Sequence, residues 1–195
     1  MDIRNALQAA TRESHQALDQ HPVIVGLVRG DLSPGTYTAL LAEYHGWFQG
    51  WETSVRQIHP DVVDELGAFR FGKSDWLASD LSRLGQPPAS ARSDVRAPAE
   101  VAGLAGALYV IEGSTLGGAA LVRAGAGFPA GADRFYRGYG ERTGPAWREM
   151  VEWLERTVDH ARLDLARHQA ARVFAEFHAM VNRAAAGVAK RETAV

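Results

Sequence analysis

His15 and Asp19 stand four residues apart in ATRESHQALD, and Gly113, Gly117 and Gly118 crowd the stretch YVIEGSTLGG. Positions four apart on a helix share a face. The first pair therefore lets the Asp19 carboxylate accept a hydrogen bond from His15 Nδ1, which fixes the tautomer and leaves Nε2 as a metal ligand. The same spacing suits an exposed His–Asp pair at a helix C-terminus, where the helix dipole favours a cation. Each glycine inside a helix costs about 1 kcal/mol relative to alanine, so the three need a compensating reason. Gly113 and Gly117 stack on one face with Gly118 beside them, and a face without side chains admits another body to contact with the backbone. That body is either a neighbouring helix, a packing that also accounts for Gly103 and Gly106, or a flat ligand lying across the helix. Ser114 and Thr115 add hydroxyls that face such a ligand, or back-bond to helix carbonyls and bend the helix.

One histidine ligand, one glycine-lined helix and no cysteine form the set with which a helical protein sandwiches a heme. The rival in helical bundles, a carboxylate-bridged di-iron centre, calls for Glu-x-x-His motifs, and the sequence contains none. The other histidines read as structural or solvated groups. His45 lies among aromatics in EYHGWF, His21 and His59 precede prolines in turns, and His160, His168 and His178 have charged neighbours on the last helices.

Helices must position these residues. Ile3, Leu7, Ala10, Ala17 and Leu18 recur at helical spacing and predict a first helix over residues 3–19, closed by His21-Pro22. A short apolar segment over residues 23–28 stops at Gly30. Ser33-Pro34 then opens a longer helix whose stripe of Tyr37, Leu40, Leu41, Tyr44, Trp47, Phe48 and Trp51 reads as core. Ser74-Asp75 is expected to cap a helix running to Leu84, residues 85–98 form a loop, and a helix from Pro98 to Arg123 carries the glycines. Two more helices are expected over residues 144–158 and 161–186, the last with Leu163, Leu165, Val173, Phe174 and Phe177 facing inward. With no period-2 strand pattern, the chain is all-α, one domain of seven or so helices, with a flexible tail over its last several residues.

Composition narrows the function classes. The chain has 195 residues and a net charge of -2, without a basic run interleaved with aromatics, so neither a nucleic-acid nor an anionic-membrane partner is expected. A polar N-terminus and no run of about 18 uninterrupted apolar residues point to a cytoplasmic protein. The absence of cysteine excludes disulfides, a thiolate nucleophile and a cysteine metal cage. Arg134, Arg137 and Arg142 cluster around Gly138 and Gly140, as carboxylate-binding groups or as a solvated surface.

The motifs ATRESHQALD, YVIEGSTLGGAAL and FYRGYGERTGPAW, in this order and separation, resemble the biliverdin-producing heme oxygenases, the bacterial branch more than the animal one. The resemblance runs from about residue 5 to residue 180. It implies a helical domain that holds heme b, as substrate and cofactor together, between a proximal helix and a kinked distal helix. It further implies cleavage of the heme with O2 and electrons to biliverdin, carbon monoxide and ferrous iron. On this resemblance His15 matches the proximal iron ligand, Asp19 the acidic group that orients it, Gly113, Gly117 and Gly118 the distal glycines, and Tyr109 an aromatic position at the heme edge. Ser114 stands where animal members carry an aspartate that organises proton delivery, and that departure keeps open a non-catalytic heme carrier or sensor. Gln8 stands where members often place a basic anchor for a heme propionate, which shifts that role toward Arg142 or Arg137. The sequence has no nicotinamide or flavin fingerprint, so the electron donor is expected to be a separate reductase, a ferredoxin or a small reductant.

Overall fold

The computed structural model describes residues 2–192, and the tail expected at the C-terminus lies outside the described residues. Eight α-helices and no strand occur among the described residues: α1 (Ile3–Asp19), α2 (Pro22–Arg29), α3 (Pro34–Ile58), α4 (Pro60–Leu66), α5 (Lys73–Arg83), α6 (Val101–Arg123), α7 (Thr143–Thr157) and α8 (Leu163–Glu192). The all-α class read from the sequence is the class observed.

Helices whose ends are written in their own residues begin where the sequence predicts. Asp2 caps α1 by accepting from the Arg4 amide. Ser33 caps α3 by accepting from the Thr36 amide, with Pro34 in the first turn. α5 departs from expectation. Its N-cap residue is Gly72, and Ser74 does not cap it; the Ser74 hydroxyl instead donates to Glu52 Oε2 at 2.6 Å. The buried Glu52 carboxylate itself accepts from the Lys73 amide at 2.6 Å, so the free donors of α5 are met by a side chain of α3. α4 was missed by the periodicity because it spans two turns, and His59, expected in a turn, lies buried at its start. α6 begins at Val101, three residues after Pro98. Leu165, expected to face inward on α8, is 44% exposed, whereas Leu163, Val173, Phe174 and Phe177 are buried.

The chain forms two compact units. The first comprises the residues through His21 together with Pro98–Arg123 and Tyr136–His178, and so contains α1, α6, α7 and the first half of α8. α7 packs on both α1 and α6. Its Glu155 carboxylate accepts from the Ile3 and Arg4 amides at 3.1 and 2.8 Å, which ties the start of α1 to α7. The same carboxyl, hydrogen-bonded to Asp2, holds the Asp2 carboxyl below the usual carboxylate range. At Gly106 a Cβ would sit 2.0 Å from the Ala166 carbonyl oxygen, so α6 meets α8 there backbone to backbone and only glycine fits. By length and composition α6 could cross a membrane, but 56% of its apolar window is buried inside the fold, as in any core helix.

The second unit comprises Pro22–Ala97, Ala124–Phe135 and the chain from Ala179 on. Its core is the aromatic stripe of α3, with Trp47 and Trp51 stacked at 6.0 Å and Phe48 edge-on to Phe135 at 5.6 Å. Asp80, fully buried on α5, accepts from the Arg134 and Phe135 amides at 2.9 and 2.8 Å. Burial raises the carboxyls of both Asp80 and Glu52 above their ordinary values, although each receives hydrogen bonds that act the other way. His45 is buried on α3 with Nδ1 unpartnered, and burial lowers its affinity for a proton.

Candidate functional site

α1 is buried along its first half, where Ile3, Ala6, Leu7 and Thr11 point inward, and open along its second. Ala10 and Ala17, part of the stripe that predicted the helix, are exposed. On this open half His15 Nδ1 lies 2.8 Å from Asp19 Oδ2, with the two side chains 63% and 60% exposed. The carboxylate accepts from Nδ1, and Nε2 is the nitrogen left to face outward. The imidazole also meets the Phe174 ring of α8 edge-on at 5.8 Å, so a hydrogen bond and an aromatic contact both restrict its rotation. Gln8 lies exposed on the same helix, two turns before His15.

α6 has the reverse polarity. Residues 102–108 are buried throughout, whereas Ser114 and Gly117 are exposed and Gly113 is half-buried. A Cβ at Gly117 would meet nothing within 4 Å. At Gly113 a Cβ would touch the Trp147 ring of α7 at 3.6 Å, an ordinary contact. Trp147 also packs against Tyr109, ring centroids 5.6 Å apart, and the two rings flank the glycine face from one side. Burial raises the Tyr109 hydroxyl above its ordinary value, with the Arg4 charge acting in the opposite sense.

Gly118 sits apart from the other two glycines. A Cβ there would approach Tyr136 at 3.2 Å, so this glycine accommodates its own chain and not the open face. Gly103, with Pro98 and Gln169 at 3.0 and 3.2 Å, is likewise a packing residue. The hydroxyls of Ser114 and Thr115 both donate to the Ile111 carbonyl, at 2.8 and 3.0 Å. α6 nevertheless runs unbroken from Val101 to Arg123. Arg142 is exposed at the end of a short 3-10 turn, Gly140–Arg142, just before α7.

α1 and α6 thus contribute to one unit an oriented imidazole and a helix face free of side chains. A glycine face flanked by two aromatic rings, with one nitrogen donor in the same unit, suits a flat, apolar ligand carrying a metal that takes imidazole. Among the described residues no group of three or more His, Asp and Glu could hold a bare metal ion. Sequence reasoning gave no site role to Trp147, Glu112 and Tyr139, and read Phe174 only as an inward-facing residue of the last helix. The first three lie inside the quoted motifs, but their partners are distant in sequence, so motif recognition gives no role to them.

Comparison with known proteins points one way. The sequence matches the heme oxygenase family over residues 1–183. No curated protein matches the chain significantly. The heme oxygenase of Leptospira interrogans superposes with a TM-score of 0.72 at 19% identity, covering 93% of this chain and 98% of that one. The NO- and CO-bound heme oxygenase of Neisseria meningitidis gives a TM-score of 0.69 at 20% identity, over 94% and 92% of the two chains. Heme oxygenase-1 of the cyanobacterium Synechocystis, in complex with heme, gives 0.68 at 15% identity over 100% of both. At these identities the structural likeness speaks for the fold, and the family match covers nearly the whole sequence.

Proposed function

The chain belongs to the heme oxygenase family, and from that premise we propose that it binds heme b between α1 and α6 and cleaves it with O2 and external electrons to biliverdin, carbon monoxide and ferrous iron. One observation carries the reading: one compact unit contains both an exposed imidazole, held through Nδ1, and a helix face on which a Cβ at Gly117 meets nothing within 4 Å. These residues fit the group, because a neutral histidine is an ordinary axial ligand and a face without side chains is a cradle for a planar ring. When bound, heme supplies the oxygen activation and is itself the molecule degraded.

The chain's own residues aim that chemistry. His15 would offer Nε2 to the iron, and Asp19 holds the ring's tautomer through Nδ1. Gly113 and Gly117 would let the α6 backbone come close to a bound ring, and that crowding would favour reaction at one edge of it. Tyr109 and Trp147 flank that face and exclude water from one side. Ser114 replaces a carboxylate with a hydroxyl whose proton is directed at Ile111 O, so proton delivery calls for rotation of that hydroxyl or for ordered water. Gln8 and Arg142 are the candidate propionate partners, and Gly118 serves the site by letting Tyr136 close behind α6. Electrons come from a reductase, a ferredoxin or a small reductant, and the setting is the cytoplasm.

The commitment of the Ser114 hydroxyl to a backbone carbonyl also favours a second reading, a heme carrier or sensor without turnover. Titration with hemin, followed by reductant under air, separates the two. Loss of the Soret band with rising biliverdin absorbance supports the oxygenase. A persistent Soret band selects the carrier, and failure to take up hemin removes both.

A further inference from the structure

Behind the open face of α6 runs a second layer of contacts, of which the reading above uses only that of Gly118 with Tyr136. Residues 136–139 lie antiparallel along the helix. A Cβ on Gly118 would meet the Tyr136 backbone and ring at 3.2–3.4 Å, and Gly138 packs on Thr115, where a Cβ would come within 2.9 Å of the methyl carbon. The Tyr139 hydroxyl donates to Glu112 Oε1 at 2.8 Å, and Glu112 is buried. Gly138 has φ +55, so the tight approach and the backbone turn both require glycine, and the Tyr139 amide donates to Thr143 Oγ1 at 3.0 Å. At about 100° per residue, Glu112, Thr115 and Gly118 centre on the side of α6 opposite Gly113 and Gly117. The strap therefore touches the back of the same turns whose front is open.

We propose that the Tyr139–Glu112 hydrogen bond is the latch of this strap, and that Tyr139 and Glu112 are positioning residues that set where the glycine face of α6 stands. The inference rests on the heme reading of that face. Three helix glycines and two back-bonded hydroxyls leave residues 113–118 poorly held by their own helix, because glycine lowers helix stability and hydroxyl back-bonding promotes bending. A face that must both approach a flat ligand and release its product needs support that leaves the front free, and the strap supplies it from behind. Glu112 is the residue immediately before Gly113, so a shift at the latch is delivered to the first open position.

Four variants test this: Tyr139→Phe, Glu112→Leu, the double variant, and Glu112→Gln, which keeps an acceptor for the Tyr139 hydroxyl. Amide hydrogen exchange is read in the heme-free protein, and the midpoint of the pH-dependent Soret shift in the hemin complex. Tyr139→Phe is expected to speed exchange at residues 113–118 about tenfold while residues 104–108 stay unchanged. Glu112→Leu should act alike, the double variant no further than either single one, and Glu112→Gln should stay near the unaltered protein. The Soret midpoint should move in the same pattern. Unchanged exchange at residues 113–118 in Tyr139→Phe, equal acceleration along all of α6, or additive effects would each overturn the latch. If Glu112→Leu does not fold, Tyr139→Phe and Glu112→Gln still decide. Failure of the unaltered protein to take up hemin, with exchange still loosened in Tyr139→Phe, sinks the heme reading and leaves the latch standing.

Discussion

Gly106 and Gly117 are the same residue on the same helix for opposite reasons. At Gly106 a Cβ would lie 2.0 Å from a backbone oxygen, and backbone cannot swing aside. Gly106→Ala is expected to destabilise the protein by about 1–3 kcal/mol, an overpacking cost measurable by urea denaturation. At Gly117 the space is empty, so Gly117→Ala should raise stability by about 1 kcal/mol through helix propensity alone. Gly117→Leu should also fold and yet lose hemin uptake, because its side chain would occupy the slot. A Gly117→Leu protein that binds hemin normally would show that the ligand lies elsewhere. His15→Ala removes an exposed side chain, so its unfolding midpoint should stay near that of the unaltered protein while the axial signature of bound hemin disappears. An unchanged spectrum in that variant would take His15 out of the site.

At the scale of elements, α5 shows how a helix end can depend on residues far from it. Its capping carboxylate, Glu52, comes from α3, and burial raises the pKa of that carboxyl as it does that of Asp80. A native state that keeps protons the unfolded chain has already released loses stability as pH rises from the ordinary carboxylate value to the raised one. Above that window the loss is complete and stability is flat with respect to these two groups. Unfolding in urea, followed upward in pH from the ordinary carboxylate value, should show this fall, at most about 1.4 kcal/mol per pH unit for each group. Glu52→Gln should lessen it and leave the share of Asp80, and an undiminished slope in that variant would exclude Glu52 as a source. The same distance in sequence explains what was legible. α1 and α3 carry their own caps and periodicity and could be read directly, whereas the start of α5 could not, because its partner lies 21 residues upstream. The His15–Asp19 pair is local, so its spacing announced it. Tyr139 and Glu112 are 27 residues apart, and only the folded strap joins them. Leu165 misled because an apolar residue on a helix is free to remain at the surface.

For the whole molecule, each compact unit is assembled from separated stretches of chain, and one crossing between the units falls within α8, between His178 and Ala179. Neither unit can be completed by a contiguous segment, so we propose that the chain unfolds as one domain, in a single calorimetric transition with matching calorimetric and van't Hoff enthalpies. Two resolved transitions would show independent units. The family match over residues 1–183 and the all-α fold belong to this scale. The emptiness in front of Gly117 has an evolutionary reading. Its own fold asks for no glycine there, and alanine would make the helix firmer, so under the proposed function only a ligand lying against it would hold glycine in place. In a lineage that abandoned the ligand, drift would claim Gly117 early and leave Gly106 in place, and the order of those losses would date the end of use.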